Sequence, residues 1–134
     1  MHKSDLVDKA VEAMKQAYVP YSKFPVGAAL LTADGTVYTG CNIENAAYPL
    51  ACCAERVAIF KAISDGCTVF EQLAVTAETD RPVPPCGSCR QVMSEFFPKD
   101  MVIHLANSNR EVTTLRMEEL LPYSFQAEDM DHSH

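Results

Sequence analysis

Leu6, Val7, Ala10, Val11, Met14, Ala17 and Tyr18 recur at the three- and four-residue spacing that places side chains on one helical face. Ser4 stands just ahead of this stripe and is the expected N-cap. Pro20 and Pro25 then fix the backbone, so Val19 to Pro25 reads as an ordered loop. Val26 to Leu31 has the apolar run of a buried strand, Asp34-Gly35 the residues of a hairpin turn, and Val37 to Cys41 the returning strand. Asn42 to Leu50 is a polar loop. A second helix is expected from Cys52 or Cys53 through Val57, Ala58, Phe60, Lys61 and Ile63, stopping at Gly66. Leu73 to Ala77 reads as a central strand, and Arg81 to Pro85 as a proline-rich loop. A helix over Gly87 to Phe97 is stopped by Pro98. A strand over Met101 to Ala106, a turn at Asn107 to Asn109, a strand near Val112 and a short helix at Met117 to Leu121 follow. A helix and hairpin followed by alternating helices and strands predict a mixed sheet with helices packed on its faces.

The 134 residues, 48% of them apolar, suit one domain around one core. No apolar run approaches the roughly 20 residues needed to cross a bilayer. Met1 to Lys15 mixes charges into its apolar pattern, unlike a secretion signal, so a cytoplasmic location is expected. Thiols stay reduced there, which turns attention from disulfides to metal binding or chemistry for the six cysteines. The net charge of −7, with 11 dispersed basic residues and an acidic C-terminus (Glu128, Asp129, Asp131), describes a solvated surface. It argues against a nucleic-acid polymer as partner.

Two segments carry the chemistry: Cys53-Ala54-Glu55 and Pro85-Cys86-Gly87-Ser88-Cys89, each at the expected start of a helix. Cys86 and Cys89, three apart, project from one face of a helical turn. A helix N-terminus favours thiolate, and thiolate is the form that binds zinc. Three thiolates leave one zinc position open for water, whose pKa the metal lowers until hydroxide forms near neutral pH. Glu55, two residues after Cys53, is placed to move protons. Zinc with three thiolates sums to −1, and Arg56 can offset the excess by donating hydrogen bonds to the ligand sulfurs. Two other readings fit the cysteines alone. One is a thiol–disulfide redox pair at Cys86 and Cys89; the other is a closed structural zinc module that also takes Cys52.

The two segments together resemble the zinc-dependent cytidine deaminases, in their short, all-cysteine class. The resemblance runs from about Tyr21 to Phe125. It rests on Tyr21-Ser22-Lys23-Phe24, Val26-Gly27-Ala28, Gly40-Cys41-Asn42-Ile43-Glu44-Asn45-Ala46, Cys53-Ala54-Glu55-Arg56, Pro85-Cys86-Gly87-Ser88-Cys89-Arg90-Gln91 and Leu120-Leu121-Pro122. It implies an α/β fold, a three-layer α/β/α sandwich on a mixed sheet of about five strands, as one domain over 1–134 with a mobile acidic tail from about 127. It implies hydrolysis of cytidine and deoxycytidine by zinc-bound hydroxide, with one zinc per subunit on Cys53, Cys86 and Cys89 and Glu55 as proton shuttle. Asn42 and Glu44 match the ribose-binding pair, and Glu44 would repel a 5′-phosphate. Phe24 matches the aromatic position beside the base, and the backbone at Ala54 would meet the base's polar edge. Phe125 matches a residue that reaches a neighbouring subunit's site in a homotetramer. A relative acting on a cytosine-containing antibiotic is the nearest rival.

Adjacent helical residues point about 100° apart, which argues against Cys52 and Cys53 ligating one zinc together. Cys52 reads as a buried small hydrophobe, and Cys41 and Cys67 as structural. His2, His132 and His134 lie in the tails. His104 falls in a strand, where a packed and hydrogen-bonded role is expected.

Overall fold

The computed structural model describes residues 1–79 and 85–120, Gly87 without its surroundings. Helix α1 spans Lys3–Met14 and is followed by strands β1 (Val26–Thr32) and β2 (Val37–Cys41). Helix α2 (Ala54–Ser64), β3 (Phe70–Ala77), α3 (Gly87–Phe96), β4 (Val102–Ala106), β5 (Val112–Arg116) and α4 (Met117–Leu120) complete the described chain.

The five strands form one sheet in the order β2-β1-β3-β4-β5. Only β3 and β4 run parallel; the other three pairings are antiparallel. The parallel pair needs a crossover, and α3 supplies it. Successive strand residues face opposite sides, so each strand feeds two cores. Ala28, Leu30, Leu73, Val75, Ile103 and Leu105 pack beneath α2, α3 and α4. Ala29, Leu31, Ala74 and Ala106 pack against Leu6, Val7 and Ala10 of α1. The result is the expected three-layer α/β/α arrangement.

Three expectations are corrected. Ser4 is not the cap of α1: the His2 ring accepts from the Ser4 amide and caps the helix two residues earlier. The helix also ends at Met14, four residues before Tyr18. Tyr18 leaves the helical face because its backbone pairs with the 42–44 segment, donating to the Asn42 carbonyl (3.0 Å) and accepting from the Glu44 amide (2.8 Å). Long-range pairing outweighs local periodicity there. Strand β3 starts at Phe70 rather than Leu73, because β1 pairs with it as far as Thr32↔Phe70.

Helices α1 and α2 approach the sheet closely at two glycines. A Cβ on Gly40 would sit 2.4 Å from the Ala54 carbonyl oxygen and 2.7 Å from the Ala58 amide, both backbone atoms of α2. Gly40→Ala must therefore lift the first turn of α2 off β2. The expected cost is about 1–3 kcal/mol, read as a lower urea midpoint at unchanged slope. An unchanged midpoint would contradict this packing.

Candidate metal centre and active site

Cys53 is the N-cap of α2 and Cys86 the N-cap of α3. Cys89 lies in the first turn of α3, fully buried, and its amide donates to the Cys86 sulfur at 3.4 Å. Two helix N-termini thus converge on one point from different elements. The Cys53 and Cys86 sulfurs are 3.8 Å apart, those of Cys86 and Cys89 3.3 Å, and all three lie within 4.8 Å of one another.

Three thiolates this close repel one another, so as bare thiols they divide the protons unequally. Hydrogen bonding from Cys89, and then from the Arg56 guanidinium and Cys86, outweighs the opposing effect of burial and leaves Cys53 well below the ordinary thiol range, at about 5. The same contact with Cys53, reinforced by burial, pushes Cys89 up. A divalent cation among the sulfurs removes the conflict and lets all three ionise. The all-sulfur set, its separations and the two converging helix ends fit one zinc ion.

Arg56, one helical turn from Cys53, donates Nη2 to the Cys53 sulfur at 3.4 Å. Its Nε is buried and has no hydrogen-bond partner among the described residues. Its hydrogen bond to Cys53 holds the guanidinium firmly protonated. Glu55 sits in the first turn of α2, only 4% exposed. Burial pushes its carboxyl up to about 7, so it can hold or release a proton near neutrality.

Glu55, Cys53 and Cys86 line one cavity of about 470 Å³. Phe24, Val26, Val75, Ala77 and Pro85 give it apolar walls, and Ser22, Asn42, Glu44, Cys53, Glu55 and Cys86 give it polar ones; Ala54 also lines it. Asn42 holds the proline-flanked loop across this cavity. Its Oδ1 accepts from the Val26 amide at 2.9 Å and its Nδ2 donates to the Phe24 carbonyl at 2.8 Å. Glu44 Oε1 accepts from the Tyr21 and Ser22 amides at 3.0 and 3.1 Å. Hydrogen bonding from Ser22, then from these amides, holds the Glu44 carboxyl below its usual range and therefore ionised. Both side chains thus fasten the loop, and each retains hydrogen-bonding capacity toward the cavity. Phe24 is 38% exposed, a cavity wall rather than core.

Every expected site residue within the described chain lines this cavity or touches a sulfur at its edge. Phe125, the Leu121-Pro122 pair and the tail from about 127 lie outside the described residues. Ser22 also lines the cavity, and its one signal in the sequence is a small hydroxyl two residues before the aromatic wall Phe24. Val75 and Ala77 carried none, since an apolar strand residue does not announce that it ends beside a cavity.

Cys52 lies outside the three-sulfur group. It pairs through its backbone with Ile43 and lines a separate, open groove with Tyr38, Val57, Phe60 and Lys61. Burial raises its pKa. Cys67 packs against the core with its sulfur 3.3 Å from the Tyr38 hydroxyl, and Cys41 is half-buried. His104 is buried in β4 between the Thr114 hydroxyl and the Gln72 carboxamide, each at 2.9 Å, and is not part of the three-sulfur group. No helix among the described residues is long and apolar enough to cross a membrane.

The family model described as "Cytidine and deoxycytidylate deaminase zinc-binding region" matches residues 1–105. A cytidine deaminase of Sporosarcina psychrophila is 52% identical over 128 residues, covering 96% of this chain and 94% of that protein. One from Halalkalibacterium halodurans is 52% identical over 131 residues, covering 98% and 99%. The crystal structure of cytidine deaminase from Burkholderia pseudomallei superposes with a TM-score of 0.91 at 45% identity, over 93% of this chain and all of that one. A blasticidin-S deaminase of Bacillus cereus is more distant, at 33% identity over 129 residues.

Proposed function

This chain belongs to the cytidine and deoxycytidylate deaminase family, and from that premise we propose that it hydrolyses cytidine and deoxycytidine to uridine and deoxyuridine, releasing ammonia. One observation carries the reading: a buried carboxyl at Glu55 and a three-sulfur cluster open into the same nucleoside-sized cavity. The 52% identity to two cytidine deaminases, against 33% to the blasticidin-S enzyme, favours cytidine over the antibiotic.

Cys53, Cys86 and Cys89 hold the zinc, which when bound supplies a Lewis acid that lowers the pKa of a water beside the base. Glu55 takes a proton from the attacking water through its carboxylate and passes it to the ring nitrogen next to the amino-bearing carbon. That transfer makes the carbon more electrophilic. After the water oxygen has bonded to the carbon, Glu55 takes the remaining proton from that oxygen and delivers it to the amino nitrogen; the carbon–nitrogen bond breaks, ammonia leaves and the carbonyl forms. Arg56 neutralises part of the thiolate charge through its bond to Cys53.

Phe24 stacks beside the base, the Ala54 backbone meets its polar edge, and Asn42 with Glu44 takes the ribose hydroxyls. A 5′-phosphate would place like charge near the ionised Glu44, a juxtaposition that costs several kcal/mol. Cytidine should therefore exceed cytidine monophosphate in kcat/KM by about 10²-fold or more. The first test is the absorbance loss when the protein meets cytidine, before and after zinc is stripped and restored. Zinc-dependent uridine formation supports the assignment, and zinc-loaded protein inert toward cytidine overturns it. Comparable turnover of nucleoside and nucleotide would remove Glu44's selective role.

The working form is a homotetramer in the cytosol, with Phe125 completing a neighbouring subunit's site. Ile43, Tyr48, Leu50 and Phe60 are exposed by 45%, 74%, 70% and 45%, an apolar allowance that a monomer gains nothing from showing to water. Phe125→Ala should raise KM for cytidine at unchanged zinc content. Unchanged KM and kcat in that variant would argue against a shared site.

A further inference from the structure

Arg90 directly follows Cys89 in the sequence, and its side chain reaches a part of the fold thirty residues further along the chain. It lies one turn into α3, where its amide donates to the Cys86 carbonyl at 3.0 Å. Its half-buried guanidinium turns back along the helix. Nε donates to the Pro85 carbonyl at 2.8 Å, and Nη1 donates to the Leu120 carbonyl at 2.8 Å.

Each acceptor has a specific place. Pro85 is buried, lines the cavity and immediately precedes Cys86, so its carbonyl orientation is coupled to the backbone that aims the Cys86 sulfur. Leu120 closes α4, and helix-end carbonyls have no intrahelical donor. The chain beyond Leu120 leads, five residues on, to Phe125. One rigid, permanently charged plane thus fixes both the entry to the metal loop and the departure point of the segment that carries the proposed shared-site residue.

We infer that Arg90 is a positioning residue, setting the Cys86 sulfur and the end of α4 relative to each other through two backbone carbonyls. It touches neither substrate nor metal. The inference rests on the reading of Cys86 and Cys89 as zinc ligands, but its structural half is testable without metal. Lysine has one charged tip and can serve one carbonyl at a time, so it should restore only part of the effect.

The experiment compares the parent with Arg90→Met, which keeps an apolar stem, and Arg90→Lys. Amide hydrogen exchange is measured on metal-free protein at Cys89 and Arg90 and at Met117 and Glu118, amides that are hydrogen-bonded in the structure. In Arg90→Met, exchange at both groups should rise together by about tenfold, while β1 and β3 keep the parent's protection, and Arg90→Lys should fall between. On zinc-loaded protein, transfer of zinc to a chelator should speed up by a similar factor, in the same order of variants. Parental exchange at either group overturns the inference, as does a uniform rise that includes β1 and β3, which would mark a general stabiliser. Parental zinc transfer in Arg90→Met overturns it too. If the parent itself binds no zinc, the metal reading fails, and the exchange comparison still decides whether Arg90 couples the two segments.

Discussion

Glu55→Gln is expected to lower kcat for cytidine by about 10³-fold or more while leaving zinc content and thermal stability near those of the parent. The substitution preserves volume and replaces an ionisable oxygen with an amide that cannot carry a proton between two sites. Both proposed transfers use this one side chain: from water to the ring nitrogen, and then to the departing amine. Burial has moved its carboxyl up to about 7, where neither protonation state is strongly disfavoured. A glutamine at this 4%-exposed position leaves the cavity's shape intact, so substrate binding should change far less than turnover. Zinc analysis and steady-state kinetics on the same preparation decide the matter. A variant retaining a tenth of the parent's kcat would show that protons travel by another route.

Cys89→Ala is expected to abolish zinc binding and, with it, all measurable turnover. Cys89 is the buried member of the cluster, with no exposure to solvent. Cys52, the adjacent thiol in sequence, faces a different groove. Because zinc binds the folded state alone, its loss also removes a stabilisation of RT ln(1 + [L]/Kd), about 4 kcal/mol at a thousandfold excess over Kd. The parent's Tm should therefore fall on adding a strong chelator, whereas the variant's Tm, already low, should not respond. Arg56→Gln retains all three sulfurs and should lie between the two in zinc affinity. Stoichiometric zinc in Cys89→Ala would mean that the cluster is not the metal site.

Much of this architecture was legible before any coordinates. The glycine at 66 adopts φ +87 and ends α2 where the pattern placed its end, and Gly35 takes φ +91 in the hairpin turn. Both follow from local backbone sterics, which depend on the residue itself. The cysteines could be read as helix-opening residues because the periodic runs after them are local too. The end of α1 was not legible, since Ala17 and Tyr18 continue a helical stripe and only pairing with the 42–44 segment draws them away. The cap at His2 was hidden for a similar reason: Ser4 has the stronger capping preference, but its hydroxyl is engaged with the His2 ring at 2.9 Å.

The site divides in the same way. Residue chemistry and spacing by themselves placed cysteines on two helix starts and one carboxyl beside them, which left a redox pair and a closed zinc module open; the family resemblance singled out Cys53, Cys86 and Cys89 as the ligand set. Tertiary structure alone decided that the two starts converge, with three sulfurs within 4.8 Å. It also decided that Cys52 turns away, that Val75 and Ala77 wall the cavity, and that Arg90 ties Pro85 to Leu120. Spacing along a helix or strand fixes the direction of a side chain relative to its own element. Only the packing of elements across the sheet fixes which directions meet.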